Sequence, residues 1–257
     1  MKNSADGLDS SGPGHDCGVL GGADLHLLPV TVCIPWRPQP SRIAPYQRVR
    51  AFWEATGWPI IEADSDPRKH FNLAQARNNA VRQVTSEYVV ISDADVIPKL
   101  DNVMQALVAV EEQVIWPYTL HRYISGDWQG DPFEAPVVQL AGMPEQPAHG
   151  YREWTGSIYV SRLDSFWHVG GFDERFTTWG GEDTCFRIAC NTLVGVGRIP
   201  GPCVSYNHEC PGRNGAAQEG GNNSDLLQQY RAADLRPMSM LKLTRDPTRF
   251  LPQGDTL

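Results

Sequence analysis

Residues 88–98 read YVVISDADVIP, an apolar run that stops at two aspartates separated by one small residue. Five residues rich in β-branched side chains predict a buried strand over 88–92. Asp93 and Asp95 therefore follow directly on the end of that strand. A turn at a strand end can direct both carboxylates at one hard divalent cation and its phosphate ligands. The alternative is an ordinary turn with two solvated acids, because this short pattern alone is weakly specific.

The residues around this run alternate between strand and helix patterns. We expect strands at 30–35, 60–63 and 114–118, and helices at 45–56, 72–84 and 101–112, the last capped by Asp101. This order predicts an α/β fold with a mainly parallel central sheet flanked by helices. Ligands of such sheets bind at the carboxyl ends of the strands. Residues 35–37, 64–66 and 93–95 are therefore expected on one rim.

The second half of the chain is less regular. We expect a loop over 120–152, strands at 156–161 and within 198–208, helices at 163–169, 182–193 and 224–233, and a frayed end from Asp246. The domain organisation that we predict is a flexible tail over 1–27, a catalytic domain over 28–212 and a C-terminal extension over 213–257.

The composition narrows the class of protein. A formal net charge of −8 gives no general attraction to a nucleic-acid backbone. We find no apolar run of about 18 residues and no secretory signal, so we expect a soluble cytoplasmic protein with no membrane partner. None of the six cysteines forms a CxxC pair. We expect reduced, mostly buried thiols, and the alternative is a zinc site built from Cys203, His208 and Cys210.

Residues 179–183 read WGGED. The two glycines, Gly181 among them, let the backbone approach a ligand closely. Glu182 and Asp183 fall in the first turn of a predicted helix, where the helix dipole favours ionised acids. Two ordinary acids at a helix start are the alternative, but they do not account for Trp179 and the glycine pair directly before them.

Two further patterns carry candidate chemistry. His208 follows an apolar strand, and a neutral imidazole completes sites for Mn²⁺-like metals when acids supply the other ligands. Residues 71–79 read FNLAQARNN, in which Phe71 can stack on a nucleobase and Arg77 can bind phosphate or carboxylate. Each has an ordinary alternative: a surface or core histidine, and an amphipathic helix with its apolar residues packed inward.

Together these pieces resemble the GT-A-fold glycosyltransferases, and most of all the catalytic domain of the β-1,4-galactosyltransferase family. The second half is also similar to the polypeptide N-acetylgalactosaminyltransferases. The pieces that carry the resemblance are IPWR (34–37), FNLAQARNNA (71–80), SDADVIP (92–98), TGSIYVSR (155–162), GGFDERFTTWGGEDT (170–184) and the strand ending in His208. It implies a GT-A, Rossmann-like nucleotide-binding fold.

The resemblance also implies roles for single residues. Asp95 and His208 would coordinate the metal, Mn²⁺ or Mg²⁺, and Asp93 would contact the donor or reach the metal through water. Asp183 would be the general base, and Glu182 would help to orient the acceptor. Trp179 would lie on a mobile loop that closes over the donor. The residues expected at the donor are Pro35, Arg37, Asp64, Phe71, Arg77, Asp93, Gly156, Trp179 and Gly181.

The implied reaction is the transfer of a hexose from a nucleotide-sugar, a UDP-sugar by resemblance, to an acceptor hydroxyl, with inversion. Leu73 stands where the family often has an arginine, and Arg77 could substitute for it. The acceptor stays open among a glycan, a protein, a small molecule and, less expected, a modified DNA base. A nucleotidyltransferase and a non-catalytic nucleotide-sugar-binding module are the alternatives. The former usually has a Gly-rich basic loop after the first strand, where this chain has WRPQP.

Overall fold

The computed structural model describes residues 28–140, 150–152, 154–177, 180–209 and 223–251. The strands are β1 (Val30–Pro35), β2 (Ile60–Ala63), β3 (Tyr88–Ser92), β4 (Val96–Pro98), β5 (Val114–Trp116), β6 (Leu120–Ile124), β7 (Tyr151–Arg152), β8 (Ile158–Arg162), β9 (Val196–Arg198) and β10 (Pro202–Tyr206). The α-helices are α1 (Ile43–Glu54), α2 (Leu73–Val81), α3 (Leu100–Ala109), α4 (Leu163–His168), α5 (Glu182–Leu193), α6 (Asn223–Ala233) and α7 (Pro237–Thr244).

The central sheet has the order β2-β1-β3-β8-β5-β9. Parallel pairing joins β1 to β2, β1 to β3 and β5 to β9, whereas β8 runs antiparallel to both of its neighbours. Every strand of this sheet except β8 therefore points the same way. The predicted α/β fold with a mainly parallel sheet is confirmed.

A second sheet, with the order β4-β10-β6-β7, was not predicted. The loop predicted over residues 120–152 is wrong at both ends, because β6 and β7 lie there and pair with each other. Residues 120–124, which form β6, read LHRYI, and polar and apolar side chains do not alternate regularly there. The other partner of β6, β10, is distant along the chain, so no local signal indicates the pairing. This sheet brings β10 alongside β4, directly after the two aspartates of residues 93–95.

The core lies between the central sheet and the helices packed on it. Large side chains at its centre, such as Trp53, Trp116 and Phe172, are fully buried. The indole N–H of Trp53 donates to the Ser92 hydroxyl at 3.2 Å, which ties α1 to the end of β3. The core thus anchors the strand end that precedes Asp93.

Two predicted element ends differ from the structure. Helix α3 begins at Leu100 with Lys99 at its N-cap, so Asp101 lies in the first turn and is not the cap. Residues after Asp246 are not frayed as far as Leu251, because Arg249 lies in a 3₁₀ turn with 1% exposure. The Arg249 guanidinium donates to the backbone carbonyls of Thr244 at 2.6 Å and Gly171 at 3.1 Å.

Helices α6 and α7 pack on α5 through a small apolar cluster that includes Leu226, Tyr230 and Met240. Across the described residues, no helix combines the length and apolar character that crossing a bilayer requires. Cys33, Cys185, Cys190 and Cys203 are buried free thiols, as predicted. The other two cysteines, Cys17 and Cys210, lie outside the described residues, as does the predicted tail.

Candidate active site

The carboxyl ends of β1, β2 and β3 form one rim, as predicted. Pro35, the last residue of β1, lies opposite Ala63 at the end of β2, and β1 also pairs with β3 in parallel. The backbone N–H of Trp36 donates to the Ala63 carbonyl at 2.8 Å, which keeps the two chain segments together beyond the strands. Asp64 and Asp93 therefore follow β2 and β3, the two strands that flank β1.

Arg37 and Asp64 form a partly buried pair on this rim. The Arg37 Nε lies 2.9 and 2.8 Å from the two Asp64 oxygens. Its other nitrogens donate to the carbonyls of Lys69 at 2.8 Å and Asp66 at 2.9 Å. The guanidinium also lies 5.4 Å from the centre of the Phe71 ring. Arg37 thus shapes the segment that presents Phe71, and three of the predicted donor residues lie together.

Arg77 lies deeper, behind the rim. Its helix, α2, starts at the N-cap Asn72, whose side chain accepts from the backbone N–H of Gln75 at 2.9 Å. The Arg77 side chain is 0% exposed and lies between the rings of Phe172 and Tyr159, at 4.7 and 5.5 Å from their centres. A guanidinium buried among aromatic rings needs charged or polar partners within the protein.

Those partners are two of the predicted site carboxylates. Arg77 Nη2 lies 2.7 Å from Asp93 Oδ1, and Nη1 lies 2.5 Å from Asp183 Oδ1. The Tyr159 hydroxyl donates to the same Asp183 oxygen at 2.5 Å. The structure therefore brings together the DAD motif at residues 93–95 and the GGED motif at residues 180–183. It also corrects the expectation that Arg77 binds the sugar-nucleotide donor. This guanidinium is enclosed, and its N–H groups form hydrogen bonds with protein carboxylates.

Burial raises the pKa values of two acids in this cluster. Burial is the largest cause and raises the pKa of Asp93 to about 6. The positive charge of Arg77 lowers this pKa, and the negative charge of Asp183 raises it. The pKa of Glu182 rises to about 8, because of burial and then the charge of Asp183. Glu182 Oε2 is buried without a hydrogen-bond partner among the described residues. Both observations favour the protonated form of Glu182.

Asp95 and His208 face each other on the other side of the DAD turn. The pairing of β10 with β4 and the bond from the Tyr206 N–H to the Asp95 carbonyl, at 2.8 Å, bring His208 close. His208 Nε2 lies 3.7 Å from Asp95 Oδ2, and both side chains are about nine-tenths buried. His208 Nδ1 lies 2.8 Å from the Glu209 carbonyl, which only accepts, so Nδ1 carries the proton there. In the neutral imidazole, Nε2 then carries the lone pair that a metal ion between His208 and Asp95 would accept.

This pair fits a divalent metal as a partial ligand set. Two ligand atoms bonded at about 2.1 Å to one ion lie about 3–4 Å apart, as these two do. The described residues contain no group of three or more His, Cys, Asp or Glu side chains suited to a metal. The remaining ligands would have to come from elsewhere, and donor phosphates and water are suited to that. Arg42, which sequence reasoning missed, lies 3.4 Å from Asp95 Oδ1.

A turn before β8 borders the base candidate. A side-chain carbon at Gly156 would lie 2.7 Å from Asp183 Oδ2, so only glycine leaves that oxygen uncrowded. Ser157 has a left-handed φ of 86°, and its carbonyl accepts from the Asp93 N–H at 2.8 Å. The Tyr118 hydroxyl donates to the Gly156 carbonyl. Tyr118 and Tyr159 were also missed, because nothing in an apolar strand pattern shows that a tyrosine hydroxyl reaches a site.

The GGED segment begins α5 as predicted. Gly181 is the N-cap residue with a φ of 104°, a conformation that favours glycine. Glu182 and Asp183 occupy the first helical turn. Trp179 lies outside the described residues, so the predicted closing loop stays a prediction.

Comparison with known proteins finds similarity to glycosyltransferases. A family model described as the N-terminal domain of galactosyltransferase matches residues 140–192. A validoxylamine A glucosyltransferase of Streptomyces hygroscopicus is 60% identical over 30 residues. That alignment spans 12% of this chain and 7% of the relative's length.

Two solved structures of Drosophila β-1,4-galactosyltransferase 7 share the fold. A mutant in complex with manganese, UDP-Gal and xylobiose aligns with a TM-score of 0.51 and 18% identity, over 77% of this chain and 79% of that one. The catalytic domain in complex with xylobiose aligns with a TM-score of 0.50 and 16% identity, over 78% and 79% of the two chains. These two matches confirm the GT-A fold that the resemblance to the β-1,4-galactosyltransferases implies, and each relative named above is a glycosyltransferase.

Proposed function

We propose that this chain is a metal-dependent glycosyltransferase that transfers a hexose from a UDP-sugar to an acceptor hydroxyl, with inversion at the anomeric carbon. One observation carries the proposal. A pair of candidate metal ligands, Asp95 and His208, and a candidate base, Asp183, flank the same strand-end turn. In support, the Drosophila relative of the same fold was solved with manganese and UDP-Gal.

In this proposal, the donor binds at the rim formed by the ends of β1 and β2 and at the turn over residues 93–95. Phe71 offers an aromatic face to the nucleobase, and Arg37 and Asp64 hold the segment that carries it. Asp95 and His208 would hold Mn²⁺ or Mg²⁺, which acts as a Lewis acid on the leaving diphosphate. Asp93, held by Arg77 through Oδ1, would contact the donor with its other oxygen. Gly156 leaves room beside Asp183 Oδ2, and Gly181, whose side-chain carbon would instead crowd Phe176, gives the backbone before Asp183 its left-handed turn.

Asp183 would take the proton of the acceptor hydroxyl as its oxygen attacks the anomeric carbon from the face opposite the diphosphate. A single displacement with a single base inverts that carbon. Glu182, whose pKa is raised to about 8, would act as a neutral hydrogen-bonding group toward the acceptor. For the acceptor we propose only a class, a glycan or a small molecule with hydroxyl groups. In support, both Drosophila structures contain xylobiose, and the Streptomyces relative is named as a glucosyltransferase of validoxylamine A.

A product assay tests the function and separates the alternatives. UDP- and GDP-hexoses would be incubated singly with the protein and Mn²⁺, with EDTA as the metal-free control. Release of nucleoside diphosphate that EDTA abolishes supports a transferase. Pyrophosphate release from a nucleoside triphosphate and a sugar phosphate would instead indicate a nucleotidyltransferase, and donor binding without any product would indicate a binding module.

Calorimetry tests the metal ligands without turnover. Asp95→Ala and His208→Ala should each abolish the Mn²⁺-dependent part of UDP binding. Asp101→Ala and His168→Ala are matched controls, since both side chains are exposed and belong to α3 and α4. Unchanged Mn²⁺-dependent binding in Asp95→Ala would refute its role as a ligand.

A further inference from the structure

We infer that Arg77 and Tyr159 are positioning residues that hold Asp183 by one oxygen, so that its other oxygen, Oδ2, receives the acceptor's proton. The inference rests on the proposed function and deepens it. Oδ2 of Asp183 would be the atom that accepts the proton, and Arg77 and Tyr159 would hold Asp183 in place. Neither residue was assigned this role from the sequence.

The two oxygens of Asp183 have different surroundings. Oδ1 accepts from Arg77 Nη1 and from the Tyr159 hydroxyl, both at 2.5 Å. Oδ2 faces Gly156, where a side-chain carbon would lie at 2.7 Å. The Asp183 side chain is 22% exposed, so the carboxylate is open on one side. Because Oδ1 already accepts two charge-assisted or short bonds, Oδ2 is the oxygen suited to a new proton.

Arg77 can hold Asp183 firmly because Arg77 itself is immobilised. Its guanidinium is 0% exposed, is packed against Phe172 and Tyr159, and also bonds Asp93. The planar fork of an arginine fixes direction as well as charge. Asp93 follows β3 and Asp183 begins α5, so Arg77 sets the distance between the donor side and the base.

Tyr159 supplies the second restraint. Its hydroxyl has one proton and lies 2.5 Å from Asp183 Oδ1 and 3.1 Å from the Thr155 carbonyl. The bond to a carboxylate is the shorter and stronger one, so we place the proton there. Tyr159 belongs to β8 in the central sheet, which gives Asp183 a rigid neighbour.

In the proposed step, one proton and one leaving group move. The acceptor oxygen forms a bond to the anomeric carbon while the bond from that carbon to the diphosphate oxygen breaks. The electron pair of the broken bond leaves with UDP. The acceptor's proton passes to Asp183 Oδ2, and Arg77 and Tyr159 keep Oδ1 in place throughout.

Three variants test the inference with UDP-galactose and UDP-glucose as donors, by UDP release for kcat and by calorimetry with UDP and Mn²⁺ for binding. Tyr159→Phe should lower kcat about tenfold, less than the 10²–10⁴-fold of losing the base entirely, with donor affinity unchanged. Arg77→Lys keeps the charge but loses the fork, and should lower kcat further. Gly156→Ala places a methyl group against Oδ2 and should lower kcat at unchanged UDP affinity.

Arg249→Lys is the matched control for a buried arginine. Arg249 is 1% exposed and bonds two backbone carbonyls, so its loss affects stability without touching Asp183. Its kcat per folded molecule should equal that of the wild type. Should Arg77→Lys fail to fold, Tyr159→Phe and Gly156→Ala decide the question.

The outcomes separate the two proposals. If the wild-type protein releases no UDP or GDP from any sugar nucleotide, the proposed function fails and this inference fails with it. If the wild type is active but Tyr159→Phe keeps full kcat, the positioning role alone is wrong. If Gly156→Ala weakens UDP binding at unchanged kcat, Oδ2 is not the reacting oxygen.

Discussion

This molecule contains two arginine–aspartate clusters that differ in how deeply the arginine is buried, and we assign them different roles. Arg37 and Asp64, on the rim, have side chains that are 21% and 32% exposed. Arg77 is 0% exposed beneath Asp93 and Asp183, whose side chains reach solvent to 17% and 22%. The same chemical pair thus shapes a surface segment in one place and orients candidate catalytic carboxylates in the other.

The comparison teaches that residue type and spacing do not reveal what an arginine contacts. Both arginines were expected to hold the donor. Pairs open to water contribute little to stability, whereas breaking a buried pair leaves an uncompensated charge.

Replacing Asp183 by Asn should have the largest effect. Without the base, kcat should fall by about 10²–10⁴-fold, while Mn²⁺-dependent UDP binding persists. Steady-state kinetics and calorimetry on the same preparation measure both quantities. Full activity in Asp183→Asn would show that the buried cluster is structural and does not carry the proton transfer.

Replacing Arg77 by Met should cost about 3 kcal/mol of unfolding free energy, because two carboxylates lose their shared counter-charge. The value lies at the low end for buried pairs, since both carboxylates reach solvent. Urea unfolding followed by far-ultraviolet circular dichroism measures it. A loss no larger than that of the rim variant Arg37→Met would remove the energetic contrast between the clusters.

The pH dependence of stability should depend on Glu182. Its pKa lies at about 8 in the folded chain against an ordinary value of 4.5, so the folded state binds the proton more tightly. Stability from this group is therefore present below pH 4.5 and is lost as pH rises toward 8.

Glu182→Gln removes that ionisation and should raise the melting temperature at pH 8 while leaving it nearly unchanged at pH 4.5. Each kcal/mol corresponds to about 2–4 °C for a domain of this size. Thermal unfolding at the two pH values checks the result, with Glu54→Gln as a control, because Glu54 is 54% exposed. Equal shifts at both pH values would contradict a buried, neutral Glu182.

Replacing Arg37 by Met should have the smallest effect on stability, about 0–1 kcal/mol. The substitution should instead weaken binding of the donor, because the segment that presents Phe71 loses its hydrogen bonds to Arg37. We expect a higher KM for the donor at nearly unchanged kcat. A lower kcat at unchanged KM would place Arg37 with the buried cluster and overturn the comparison.

Much of the fold could be predicted because its signals are local. The apolar runs of β1, β2 and β3 end at Pro35, Ala63 and Ser92 as expected, and α5 spans Glu182–Leu193 as predicted. The second sheet could not be predicted, because β6 and β10 are paired across a long stretch of chain. The antiparallel insertion of β8 beside β3 is likewise a choice among sheet partners that no local pattern encodes.

The amino-acid sequence by itself determined the fold class, the common rim of the first three strands and the identity of the carboxylates and the histidine proposed to act. Those properties follow from hydrophobic periodicity and short motifs. Only the tertiary structure decided that Arg77 is enclosed beneath Asp93 and Asp183, that Tyr159 shares Asp183 Oδ1, and that Glu182 is buried enough to keep its proton. The reason is physical: burial and hydrogen-bond partners depend on which distant elements pack together.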